Sequence, residues 1–213
     1  METRSFTAMA RTQTRETFYA VELCKTTLWH SVHYQNIEKY RALCKFGCKN
    51  YNRKWCCPPH APSFSSYIQP WHNLCVVFLH VEMIYFADIK NPYLRVKAAN
   101  SMLKSRADKF VRKLSETGGR AISTGSCRLC KPCHYQKNEK CAHPDIMAYS
   151  YEAMGVNVDA LVQDCFGKPL LWYRNRVVPE YTSVVCGFLT NDAVSLEKLH
   201  DVYLSVIDDA GTI

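Results

Sequence analysis

The stretch that most constrains this chain is Cys127 to Pro144, CRLCKPCHYQKNEKCAHP, where four cysteines fall within fifteen residues at C-x2-C-x2-C-x7-C spacing. Steps this short let tight turns aim neighbouring thiolates at one small object. For a ligand set of soft sulfur that object is zinc or an iron–sulfur cluster. The competing reading, four unrelated buried thiols or a disulfide pair, requires three cysteines in seven residues to be buried without a shared ligand.

A second cysteine set stands upstream. Cys44, Cys48, Cys56 and Cys57 lie in CKFGCKNYNRKWCCPPH, where a C-x3-C step leads to adjacent cysteines and then Pro58 and Pro59. A proline just after a ligand removes a backbone donor and fixes φ, which holds the sulfur free of a competing local hydrogen bond. Trp55 and Tyr51 would wall the site from water, a lever on cluster potential. The plainer alternative makes Cys56 and Cys57 core thiols beside a Pro-Pro turn.

The rest of the composition is globular, with 47% hydrophobic and 22% charged residues. No run approaches the roughly 18 apolar residues of a membrane span. METRSFTAMARTQTRETF has no apolar h-region, so a cytoplasmic chain with reduced thiols is expected, and a metal framework accounts for twelve cysteines better than a disulfide framework. The net charge of +8 invites a nucleic-acid reading, with Lys and Arg gathered along Arg95 to Lys113 and around Arg128, Lys131, Lys137 and Lys140. A cubane on four thiolates carries about −2, however, so bound clusters would offset part of that excess. The basic surface then reads as solvated charge, or as a docking face for an acidic redox partner or a phosphorylated substrate. Nucleic acid is not the expected partner.

The periodicity predicts an α/β (α+β) fold: one compact domain over residues 16–213, a mixed sheet with flanking helices and two cysteine-rich loops, after a polar lead-in at 1–15. Strands are expected at Phe18 to Cys24, Asn73 to Met83, Arg120 to Thr124, Pro169 to Arg174 and Ser183 to Thr190. A short helix or turn is expected from Asn36. A long helix begins at Asn91 and Pro92, with Val96, Ala99, Leu103, Ala107, Phe110, Val111 and Leu114 inward and Lys97, Lys104, Lys109 and Lys113 to solvent. A further helix is expected from Pro144 to Gly155, its N-terminus aimed at the metal, and another over Ser195 to Ile207. Cys75, Cys165 and Cys186 read as packing residues, Cys24 is open, and His143 reads as a cap or a donor to sulfur.

The W-C-C-P-P loop, the later G-S-C-x2-C-x2-C-x7-C-x-H-P and the following Y-E-A-M-G-V-N-V together resemble a family of cysteine-rich bacterial and archaeal proteins known only as predicted metal-binding proteins. The resemblance covers roughly residues 40–165. By position it implies ligands at Cys44, Cys48 and Cys57 in the first loop and at Cys127, Cys130, Cys133 and Cys141 in the second. It implies no reaction.

Structural zinc usually takes two separated C-x2-C knuckles, whereas the bacterial ferredoxin run begins with the triple step seen here. One or two [4Fe-4S] clusters are therefore the expected cofactor, with zinc the alternative. If only Cys44, Cys48 and Cys57 serve the first site, one iron keeps an open position, as catalytic metals do. The sequence has no G-x-S-x-G elbow, no H-E-x-x-H helix and no Gly-rich phosphate loop, so hydrolase, zincin and kinase readings lose their usual supports. Three functions remain. One is a small enzyme doing sulfur or redox chemistry on a small molecule over an open cluster. Another is an electron carrier or accessory protein, its first site completed by Cys56, Cys24 or Cys75. The last is a zinc-stabilised binding module.

Overall fold

Twelve residues of β-branched, aromatic and alternating character form the strand around which the sheet begins. It is β2, Glu16–Thr27, and it pairs antiparallel with β1, Glu2–Arg11, from Glu2↔Lys25 to Arg11↔Glu16. The structure is a computed structural model and describes residues 1–12 and 14–208. Residue 13 of the expected lead-in and residues 209–213 of the expected domain lie outside the described residues. The expected polar lead-in is thus an edge strand: Phe6, Ala8 and Ala10 alternate inward while Thr3, Ser5 and Thr7 supply the polar face.

After β2 come two helices, α1 at Leu28–Val32 and α2 at Ile37–Gly47, the latter capped by Asn36, whose side chain accepts from Lys39 N. A cysteine-rich loop leads to α3, Phe64–Ile68, and then to β3, Asn73–Glu82, which is buried along nearly its whole length. Helix α4, Pro92–Ser115, begins as its sequence dictates, with Asn91 capping Leu94 N and proline in the first turn. Its expected inward stripe is buried throughout, together with Met102. Burial of each such large apolar side chain stabilises the fold by about 1.5–3 kcal/mol.

Strand β4, Arg120–Ser123, opens the second cysteine-rich loop, which ends at β5, Tyr149–Ser150; α5, Val158–Phe166, β6, Tyr181–Thr190, and α6, Leu196–Asp208, follow. The six strands described lie in the order β1-β2-β3-β6-β4-β5, all neighbours antiparallel except β4 and β5. Strands β3 and β4 therefore run parallel with β6 between them, so the β-α-β unit around α4 is split. The result is one α+β domain. Helices α4 and α6 cover one core on one sheet face; α3, α5 and the 151–156 turn cover another. Among the described residues no helix is long and apolar enough to cross a membrane.

Two expected elements are absent. Residues 144–155 form no helix, because Tyr149 and Ser150 join the sheet beside Ile122 and Ser123, and 151–155 close a turn through Met154 N to Tyr151 O and Gly155 N to Glu152 O. The Arg120 guanidinium also takes the carbonyls of Pro144, Asp145 and Met147, which a helix would bond internally. No helix end points at the cysteines from this segment. The PLLWYR segment is extended but joins the sheet nowhere; Leu170 N is satisfied by Asp159 Oδ1 at 3.0 Å, and Arg174 makes an isolated bridge with Val177.

One buried polar group interrupts the second core. Glu22 Oε1 lies 2.9 Å from His80 Nε2 and 2.8 Å from Lys168 Nζ. Burial pushes the Glu22 carboxyl up, and hydrogen bonds from His80 and Lys168 outweigh it, so its pKa falls below the ordinary 4.5.

Candidate metal centre

The two cysteine-rich loops, far apart in sequence, meet in space. Lys54 Nζ donates to Cys127 O at 2.8 Å and to Ser126 Oγ at 3.2 Å, and Trp55 Nε1 donates to Glu139 O at 3.0 Å. The Tyr135 hydroxyl donates to Asn52 Oδ1 at 2.7 Å. The rings of Trp55, His60 and Tyr135 pack edge to face or tilted, with centroids 4.6–5.2 Å apart. Loop geometry is therefore fixed by cross-contacts as well as by α2 and α3 around the first loop and β4 and β5 around the second.

Adjacent Cys56 and Cys57 divide between the two sets. The Cys56 sulfur accepts from Cys127 N at 3.0 Å, which ties it to the second loop. Cys57 faces a cavity of about 650 Å3 whose wall also holds Cys44 and Cys48. The two sulfurs stay 3.8 Å apart, so the sets are neighbours. Cys44 and Cys48 come from the last turn and C-cap of α2, where a helix makes i and i+4 neighbours. The proline after Cys57 is buried, and its carbonyl accepts from Asn52 N at 2.8 Å.

The thiols differ in acidity. A hydrogen bond from Cys56 lowers the Cys57 pKa below that of an ordinary thiol despite burial. Burial, followed by Cys48 and Glu152, raises Cys44. The bond with Cys127 pulls Cys56 down, but the bond with Cys57 and burial win, and it is pushed up to about 12. Cys127 is raised by its bond with Cys56 and by burial, and Cys130 by desolvation and then by Cys127, Cys133 and Cys141. Cys141 Sγ sits 3.8 Å from Met147 Sδ.

Cys44, Cys48 and Cys57 thus line one cavity, and the charges of Cys127, Cys133 and Cys141 each act on Cys130. Among the described residues no three His, Cys, Asp or Glu side chains converge as a single ion would need. All twelve cysteines are free thiols. Cys24 packs beside Cys165, and Cys75 and Cys186 are buried against the other core. His143 is exposed and contributes its carbonyl to Met147 N.

Tyr51 lines the cavity as expected and Arg128 joins it, whereas Trp55, the other expected wall, packs with His60 and Tyr135 in the clamp between the loops. Sequence reasoning missed the wall supplied by α4, which presents Tyr93, Lys97, Asn100 and Lys104 to the cavity, and missed Glu152 and Tyr173. The signal was there, as i, i+3/i+4 spacing beside the buried stripe, but lysines in that position read equally well as a solvated face. A smaller cavity of about 330 Å3 lies beside Cys127, with Arg120 and Asp145 in its wall.

No curated protein and no solved structure matches the chain. A family model does match, over residues 31–186, and that span contains both cysteine-rich loops, α4 and all but the last few residues of the inserted strand β6. Since the match takes in well over half of the chain, the protein belongs to the predicted metal-binding protein family DUF2284.

Proposed function

We propose that the chain is an iron–sulfur protein in which Cys44, Cys48 and Cys57 hold one [4Fe-4S] cluster and Cys127, Cys130, Cys133 and Cys141 a second, and that it acts as a cytoplasmic enzyme on a small molecule by sulfur or redox chemistry. One observation carries the reading. The 650 Å3 cavity has three thiols in its wall, and among its lining residues there is no fourth. Sulfurs spread around open space fit an object larger than one ion, and thiolate is the donor such clusters take.

An iron with an open coordination position supplies a Lewis acid, or an anchor for an extra sulfide, when bound. The chain's own residues supply the surroundings. Tyr51 and Pro58 exclude water from the Cys57 side, Lys54 fixes the second loop through Cys127 O, and Arg128 puts a cation at the cavity rim. The carrier alternative needs a fourth thiol in that wall, yet Cys56 turns to Cys127 and Cys24 packs beside Cys165. An acidic redox protein remains the expected electron donor for a chain of charge +8.

The test is anaerobic purification followed by iron, sulfide and zinc counts. About four iron and four sulfide per cluster are expected, with a broad visible absorption that reduction bleaches. Stoichiometric zinc without iron overturns the reading.

A further inference from the structure

The charge in the cavity is lopsided. Lys49, Lys97, Lys104 and Arg128 line it against a single carboxylate, Glu152. Arg128 is only loosely engaged, 3.5 Å from Asp108, and Lys49 and Lys104 make no ion pair among the described residues. Lys97 and Lys104 stand on α4, which carries no cysteine, and seven residues at 1.5 Å rise put them roughly 10 Å apart along the helix. Asn100 and Ser101 offer an amide and a hydroxyl between them, and Tyr51, Tyr93 and Tyr173 bring aromatic surface to the same wall. The Tyr93 and Tyr173 rings lie 6.2 Å apart, with Lys97 Nζ 6.0 Å from the Tyr93 centroid.

We propose that this cavity binds a small organic phosphate, a ring-bearing monoester of nucleotide size. Its phosphate would sit among Lys97, Lys104 and Arg128, and its ring against the tyrosines, facing Cys44, Cys48 and Cys57. Glu152 and a cluster on three thiolates, of net charge about −1, cancel two of the four cations, and the roughly two positive charges left suit a phosphate dianion better than a monocarboxylate. The volume of about 650 Å3 falls within the 300–1,000 Å3 range of small-molecule sites. The inference names the substrate class of the site proposed above and rests on that cavity, but not on which metal the thiols hold.

The test is calorimetric titration of the anaerobically purified full chain with adenosine 5′-monophosphate, adenosine and inorganic phosphate, alongside its iron and zinc counts. The monophosphate should bind more tightly than either adenosine or phosphate. Lys104→Ala should weaken it by about tenfold. Lys109→Ala removes the same charge from the exposed side of α4 and should leave the affinity unchanged, and the metal content should be unaltered in both variants. Equal affinity for monophosphate and adenosine overturns the anion site, and equal affinity for monophosphate and inorganic phosphate overturns the ring contact. Equal losses in the two lysine variants reduce the effect to net charge and also overturn the proposal. A protein that holds iron yet fails these titrations loses only this inference. A protein that holds zinc yet passes them loses only the iron assignment.

Discussion

Cys56 and Cys57 show how much one peptide unit decides. Their sulfurs belong to different neighbourhoods, one bonded by Cys127 N and the other in the cavity wall. Cys57→Ser should therefore cost about half the iron of a two-cluster protein, while Cys56→Ser should keep the first centre and perturb the second; iron per chain and electron paramagnetic resonance of the reduced protein would separate the two. Glu22 offers a second test, and its sign follows from its lowered pKa. Its contribution to stability is fully present above 4.5 and fades as pH falls through the depressed folded value. Glu22→Gln should cost about 1–2 kcal/mol at pH 7 and flatten the acid limb of the melting-temperature profile below pH 4.5. The gathering of Cys44, Cys48 and Cys57 in one cavity wall was legible in the sequence, because cysteines at tight spacing are held to one neighbourhood by the chain itself. The Glu22, His80 and Lys168 group was not, because its members are distant in sequence and nothing local marks their meeting.

Among the elements, β3 and α4 were the most legible, since a buried apolar run and a capped amphipathic helix each repeat their message over many residues. Strand β5 was not, because two residues are too few to carry a period and the Pro144 to Gly155 composition suits a helix equally well. What overrides that propensity is tertiary: Arg120 takes the carbonyls and β4 takes the strand. The turn that replaces the expected helix buries Tyr151, whose hydroxyl has no hydrogen-bond partner among the described residues. It presses on Gly187 of β6, where an added Cβ would meet that oxygen at 2.2 Å. Gly187→Ala should destabilise by about 2–3 kcal/mol in urea unfolding. Tyr151→Phe should stabilise by about 1 kcal/mol by removing the orphaned hydroxyl, and the double variant should recover part of the glycine cost.

For the molecule as a whole, the two apolar cores and the sheet are built without the cysteines of the two loops, apart from the small cluster where Cys56, Cys57 and Met147 meet. Removing metal with a chelator should therefore leave β3 and β6 protected from hydrogen exchange while residues 44–60 and 125–148 exchange faster; uniform loss of protection would refute this division. The placement of β6 has a further consequence, one that concerns the ribosome. The strand that closes the sheet between β3 and β4 is the last of the six to be synthesised, at Tyr181–Thr190, whereas the loop cysteines from Cys44 to Cys141 all emerge before it. Nascent thiols thus leave the ribosome ahead of the framework that will hold them, and a metal delivered during translation would meet a second loop whose flanking strand β4 still awaits its central partner.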